Sequence, residues 1–167
     1  RGAGRGNFEV IRVAVSGVGG KLASPIIAAV SAADDLELAV LYNPNRVGQT
    51  VSGVEVTGDL SSLSADVVVE TVHPAVVFSN LEAWRDLGVA AVVGTSGFTP
   101  ERLDRLRELW GTDRPCLVVP NFAIGAVLMM KFAALAAPFY PSAEIVELHH
   151  PNKADAPSGT ASTTARR

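Results

Sequence analysis

Cysteine is almost missing from this chain. Cys116 is the only one, so no internal disulfide can hold the fold. It lies in the apolar run Cys116-Leu117-Val118-Val119 and reads as a packing residue rather than a reactive thiol. Aromatic residues are scarce at 6%, and methionine occurs twice, so a core must come from Val, Leu, Ile and Ala. No apolar run reaches the roughly 18 residues that suggest a membrane span. The beginning of the chain lacks the apolar segment of a signal peptide, so a cytoplasmic protein without a membrane partner is expected. A dominant charge is lacking too. Fourteen Lys and Arg face 17 Asp and Glu, and no basic stripe occurs away from the ends, which argues against a nucleic-acid partner. What remains is 48% apolar residues over 167 positions, enough for one domain or one domain and part of another.

The pattern along the chain alternates. Residues 1–9 ("RGAGRGNFE") read as a flexible tail, because no strand precedes their glycines. Val10 to Ser16 is an apolar strand, and Lys21 to Ala33 follows as a helix. Leu38 to Tyr42, Val54 to Val56 and Asp66 to Thr71 read as further strands. Pro74 marks the first turn of a helix closing at Gly88, and Val89 to Val93 is again a strand. Thr99 and Pro100 supply a cap and a first-turn proline for a helix that ends before Gly111. Cys116 to Val119 is the next strand. Continuous Val, Ile and Leu strands separated by helices indicate a parallel sheet covered on both faces, the doubly wound α/β pattern. Beyond Pro120 the character changes to a long apolar helix, Ala123 to Ala137, and a strand, Ala143 to His149. Residues 10–120 are therefore expected to form one domain and 121–167 the start of a second.

Gly17-Val18-Gly19-Gly20-Lys21-Leu22-Ala23 follows the first strand directly. A pyrophosphate can rest on a helix N-terminus only where no side chain blocks the exposed N–H groups. Gly17, Gly20 and Ala23 meet that need as Gly-x-x-Gly-x-x-Ala, and Lys21 adds a cation. An acid at the end of the second strand would hold the ribose hydroxyls of NAD, and a basic group would accept the 2′-phosphate of NADP. The chain has Tyr42-Asn43-Pro44-Asn45-Arg46 there, without an acid, so NADP is weakly favoured and both cofactors stay open.

The second chemical cluster is "ELHHPNKADAPSGTA", Glu147 to Ala161. Strand alternation puts Glu147 and His149 on one face and His150 on the other, so the two histidines should differ in role. Ser158 can cap a helix whose first N–H groups, at Gly159 and Thr160, face an anion, with Lys153 close by in sequence. Such a set suits a carboxylate ligand and a proton transfer. Adjacent histidines without a third ligand do not satisfy zinc, so no metal is expected.

This stretch, with "VVGTSGFTPERL" (92–103), "VPNFAIGAV" (119–127) and the glycine turn, resembles the dihydrodipicolinate reductase family in content and in order. The resemblance implies a Rossmann-like doubly wound sheet followed by the beginning of an α+β substrate-binding and tetramerisation domain. It implies an NAD(P)H-dependent oxidoreductase that reduces 4-hydroxy-tetrahydrodipicolinate, a conjugated dicarboxylate, in lysine and diaminopimelate biosynthesis. By the same resemblance His149 and Lys153 are the catalytic proton donors, and His150, Lys153, Ser158, Gly159 and Thr160 hold a substrate carboxylate. Gly17, Gly20 and Lys21 would hold the pyrophosphate; Gly94, Thr95, Gly97, Pro120, Asn121 and Phe122 would lie beside the nicotinamide ribose and ring. The cofactor is NADPH or NADH. Family chains continue well past the Ser-Gly-Thr turn and form homotetramers, so an incomplete chain is expected here. A non-catalytic dinucleotide-binding fragment is the alternative. Three departures stand out: Ala23 in place of the third glycine, Glu70-Thr71-Val72-His73-Pro74 in place of Asp-Phe-Thr-x-Pro, and Asn43 where some members have an acid.

Overall fold

A strand buried on both faces needs helices above and below, and the alternating pattern supplies them. The computed structural model describes residues 9–61, 63–149 and 156–166. Its sheet holds seven strands: β1 (Ile11–Ser16), β2 (Leu36–Tyr42), β3 (Thr50–Val51), β4 (Val54–Thr57), β5 (Val67–Glu70), β6 (Ala90–Val93) and β7 (Cys116–Val118). Their spatial order is β3-β4-β2-β1-β5-β6-β7, parallel throughout except for the β3–β4 pair. The chain thus grows outward from β1 in one direction, then returns to β1's other side with β5. That reversal is the topological switch point, where open α/β sheets bind ligands beyond the carboxyl ends of their strands.

Successive strand residues point to opposite faces, so β1 feeds two cores. Val13 and Val15 pack with Val18, Ala23, Ile27 and Val30 of α1 (Ala23–Ala32) and its approach. Ala14 faces the other side, among Val77, Phe78, Leu81 and Trp84 of α2 (Val77–Asp86) and Leu106 and Trp110 of α3 (Pro100–Trp110). Thr99 caps α3 by accepting from the Arg102 N–H, Pro100 takes its first turn, and Gly111 (φ 68°) ends it. Cys116 is half-buried, and burial pushes its thiol up to about 11, which makes it inert near neutrality.

Two expected elements differ. Pro74 does not open α2; residues 74–76 form a turn, and the helix begins at Val77. The His73 ring accepts from the Ala75 N–H at 3.2 Å, stabilising the turn, and proline disfavours helical geometry at His73 itself. The strand expected over 143–149 is not formed, because no strand among the described residues offers it a ladder. Further along the chain, α4 (Ile124–Ala136) leads into a short 3-10 turn, and α5 (Gly159–Ala165) begins at a Ser158 cap. Ile124, Leu128, Phe132 and Leu135 of α4 are exposed. The tail expected at the beginning lies outside the described residues up to position 8.

Beneath the switch point sits a buried acid. Glu70 has no exposed surface and accepts from Ser16 Oγ (2.8 Å), Trp84 Nε1 (2.9 Å) and Asn80 Nδ2 (3.4 Å). Those donors favour its charged form, but desolvation outweighs them and pushes the carboxyl up to about 7 from its usual 4.5. With the folded value raised, the native state binds the proton more tightly than the unfolded chain. The stabilisation is complete below pH 4.5 and is lost as pH rises through about 7, amounting to roughly 3 kcal/mol at 1.36 kcal/mol per pH unit. Glu70→Gln is expected to flatten this decline, read as the urea midpoint across that pH range.

Candidate active site

The turn after β1 is held from three sides. Gly17 (φ 89°) and Gly19 (φ 88°) adopt a conformation that side chains other than glycine rarely take. Gly17 also lies so close to β5's end that a β-carbon would stand 2.8 Å from the Thr71 carbonyl oxygen. Thr71 itself donates both its N–H (3.2 Å) and its hydroxyl (2.7 Å) to the Ser16 carbonyl. From β2, Asn43 Nδ2 donates to the Val18 carbonyl at 2.7 Å. Gly19, Gly20 and Lys21 are left exposed at the start of α1, which has no side-chain cap. An uncapped helix N-terminus with no β-carbon over its glycines fits a pyrophosphate.

Two further loops leave the carboxyl ends of neighbouring strands. The loop after β6 is fixed by the Gly94 N–H to the Glu70 carbonyl (2.8 Å) and by Thr95 Oγ1 to the Val72 carbonyl (2.9 Å). Thr95 is buried, and its hydroxyl serves this anchor. Farther on, Phe98 packs on Phe78, and the Arg102 guanidinium lies over both rings while donating to the Pro74 carbonyl. After β7, Asn121 Oδ1 accepts from the Ala123 N–H at 2.8 Å and shapes the approach to α4.

These loops line one side of a cavity of about 800 Å³, and residues near His149 and Ser158 line the other. Gly94, Thr95, Gly97, Pro120 and Asn121 thus share one space with His149, Ser158, Gly159 and Thr160. Asn121 Nδ2 donates to Thr160 Oγ1 at 3.0 Å and joins the two sides directly. Glu147 ties the second side together: Oε1 accepts from the Ser158 N–H at 2.9 Å, and Oε2 lies 3.8 Å from His149 Nδ1. Ser158 Oγ in turn accepts from the Ala161 N–H. Phe122 does not line the cavity; its ring packs on Gly94, beside Leu22 of the glycine turn. Gly17, Gly20 and Lys21 sit outside the cavity, at the neighbouring strand end. His150 and Lys153 lie outside the described residues.

The family model "Dihydrodipicolinate reductase, N-terminus" matches residues 11–122, and "Dihydrodipicolinate reductase, C-terminus" matches 125–167. The chain belongs to the dihydrodipicolinate reductase family. It is 48% identical to the 4-hydroxy-tetrahydrodipicolinate reductase of Mycolicibacterium vanbaalenii over 162 residues, covering 93% of this chain and 61% of that protein. It is 50% identical to the enzyme of the same name from Nocardia farcinica over 158 residues, covering 93% and 60%. Among solved structures, the dipicolinate-bound dihydrodipicolinate reductase from Paenisporosarcina sp. TG-14 aligns with a TM-score of 0.74 at 37% identity, covering 94% and 64%. The chain spans about 61% of the length of the curated relatives it matches.

Within this family member, sequence reasoning missed Glu147 as the link between His149 and Ser158, and missed Arg166, which lines the cavity. Alternation had placed Glu147 and His149 on one face, and this was the available signal for the first; nothing local marked the second. Gly94 is closely enclosed, since a β-carbon there would stand 2.7 Å from the Phe122 ring and 3.1 Å from Leu22 Cδ2. Gly94→Ala is expected to cost about 1–3 kcal/mol through that overlap, measured as a lowered urea midpoint.

Proposed function

We propose that this chain carries the dinucleotide-binding and catalytic parts of a reductase that converts 4-hydroxy-tetrahydrodipicolinate to tetrahydrodipicolinate in lysine and diaminopimelate biosynthesis. Residues 10–120 serve the dinucleotide and 121–167 the substrate. One observation carries the reading: a single cavity is lined by loops at the carboxyl ends of β6 and β7 and, opposite, by His149 and Ser158 to Thr160. The relatives are named for this reductase activity, and the Paenisporosarcina enzyme is dipicolinate-bound; both support a cyclic dicarboxylate as the substrate class.

A bound NADPH or NADH supplies the hydride. Gly17, Gly20 and Lys21 hold its pyrophosphate, because their backbone is open and the lysine is cationic. Gly94, Thr95, Gly97, Pro120 and Asn121 form the bed for the nicotinamide end, with Phe122 packed behind Gly94. The Ser158 and Thr160 hydroxyls and the Gly159 N–H receive a substrate carboxylate, with His150 and Lys153 adding donors. His149 delivers the proton that balances the hydride's charge, with Lys153 as its partner. Glu147 Oε2 stands beside this ring, 3.8 Å from His149 Nδ1.

His149→Ala is expected to lower turnover by roughly 10²–10⁴-fold with little change in the Kd for NADPH. Parallel losses in both would remove His149 from this role. The second reading is a dinucleotide-binding fragment without catalysis, and the exposed apolar face of α4 in the substrate part favours it. Assay of the 167-residue chain with NADPH and freshly generated substrate separates the two: turnover supports the reductase, and cofactor binding without turnover supports the fragment.

A further inference from the structure

Gly97 and Phe98 line the cavity, in the part of the β6 loop that leads into α3. Arg102 holds this part of the loop from outside the cavity. It sits in the first turn of α3 and lays its guanidinium over the Phe78 ring, 5.0 Å from the centroid, and over the Phe98 ring at 5.5 Å. Its Nη2 donates to the Pro74 carbonyl at 2.8 Å, in the loop after β5. At the other end, Thr95 Oγ1 donates to the Val72 carbonyl of that same loop at 2.9 Å. Residues 95–102 are thus stapled to residues 72–74 at both ends, and Gly97 (φ 81°) turns the chain between the staples.

Arg102 costs the fold something in this place. Its Nε is buried and has no hydrogen-bond partner among the described residues. It also puts a cation in the first turn of a helix, where the dipole disfavours one. An unbranched apolar side chain would cover the same rings at neither cost. What a planar guanidinium adds is three fixed contacts at once, two ring faces and one carbonyl. Those contacts set the spacing between the β5 and β6 loops, and with it the position of Gly97 and Phe98. We propose that Arg102 is a positioning residue that acts through Phe98 and Gly97 to hold the β6 loop where the nicotinamide end of the cofactor docks. This rests on the reading of that loop under Proposed function and deepens it.

The test is equilibrium binding to the 167-residue chain, which requires no turnover. Each dinucleotide is compared by calorimetry with its counterpart lacking nicotinamide: NADPH with 2′-phospho-ADP-ribose, and NADH with ADP-ribose. The wild-type chain is expected to prefer the intact dinucleotide by about tenfold, with a blue-shifted dihydronicotinamide emission. Arg102→Met keeps a side chain over the rings but loses the charge and the carbonyl bond. It should weaken the dinucleotides by roughly tenfold, as for loss of a charge-assisted hydrogen bond, and abolish the blue shift. The nicotinamide-free ligands should stay within about twofold, which a general loss of folding would not allow. Arg102→Lys should recover part of the loss, since a donor for Pro74 remains. Arg105 also lies over Phe78, at 4.4 Å, without a hydrogen bond to Pro74, so Arg105→Ala should change nothing. Wild-type-like binding by Arg102→Met, equal weakening of all four ligands, no recovery with lysine, or an equal loss in Arg105→Ala would each overturn the role of Arg102. A wild-type chain that binds all four ligands without preferring the dinucleotides would overturn the reading of the β6 loop, and one that binds none would overturn the dinucleotide reading itself.

Discussion

The enclosed carboxylate of Glu70 is where β1, β5 and α2 meet, and the positions of the loops above it depend on that meeting. Its side chain takes hydrogen bonds from Ser16 on β1 and from Asn80 and Trp84 on α2, while its carbonyl takes the Gly94 N–H from the end of β6. A buried acid of this kind costs desolvation energy, which the raised proton affinity records. The return is position: the glycine turn begins one residue after Ser16, and the β6 loop begins at Gly94. Both loops are thus referred to one interior point.

Most polar side chains near the cavity serve the scaffold. Thr71 and Thr95 give their hydroxyls to backbone carbonyls, and Asn43 and Asn121 each bridge a turn to a neighbouring element. Buried polar groups must be satisfied, and here that requirement fastens loop to loop. The open space is lined by glycines of the β6 loop, by Ser158 to Thr160, by His149 and Arg166, and by apolar residues such as Phe98 and Leu103.

Much of this was legible in the residues. Short stretches rich in Val, Ile, Leu and Ala, interrupted by Arg12 in β1, Glu37 in β2 and Glu55 in β4, marked every strand except β3, whose two residues are too short to show a period. Thr99-Pro100 and Ser158 announced helix starts through capping chemistry, which acts within four residues and needs no tertiary partner. The two misreadings have different causes. At Pro74 a histidine side chain reached forward to stabilise a turn, and over 143–149 a strand-like pattern lacked a ladder to join. The first outcome rests on a contact between residues two apart, and the second on strands elsewhere in the fold.

The sequence by itself determined the doubly wound sheet, the glycine turn and the identity of the chemical groups near its end, because periodicity, capping and side-chain type are local properties. It also carried the family, through motifs whose order and spacing are specific. Tertiary structure alone decided which groups share one cavity, that Glu147 spans His149 and Ser158, and that Arg46 lies on Gly19. The shared cavity and the Arg46–Gly19 contact join residues from separate loops, and their distances depend on how strands and helices stack, which no single stretch of chain encodes.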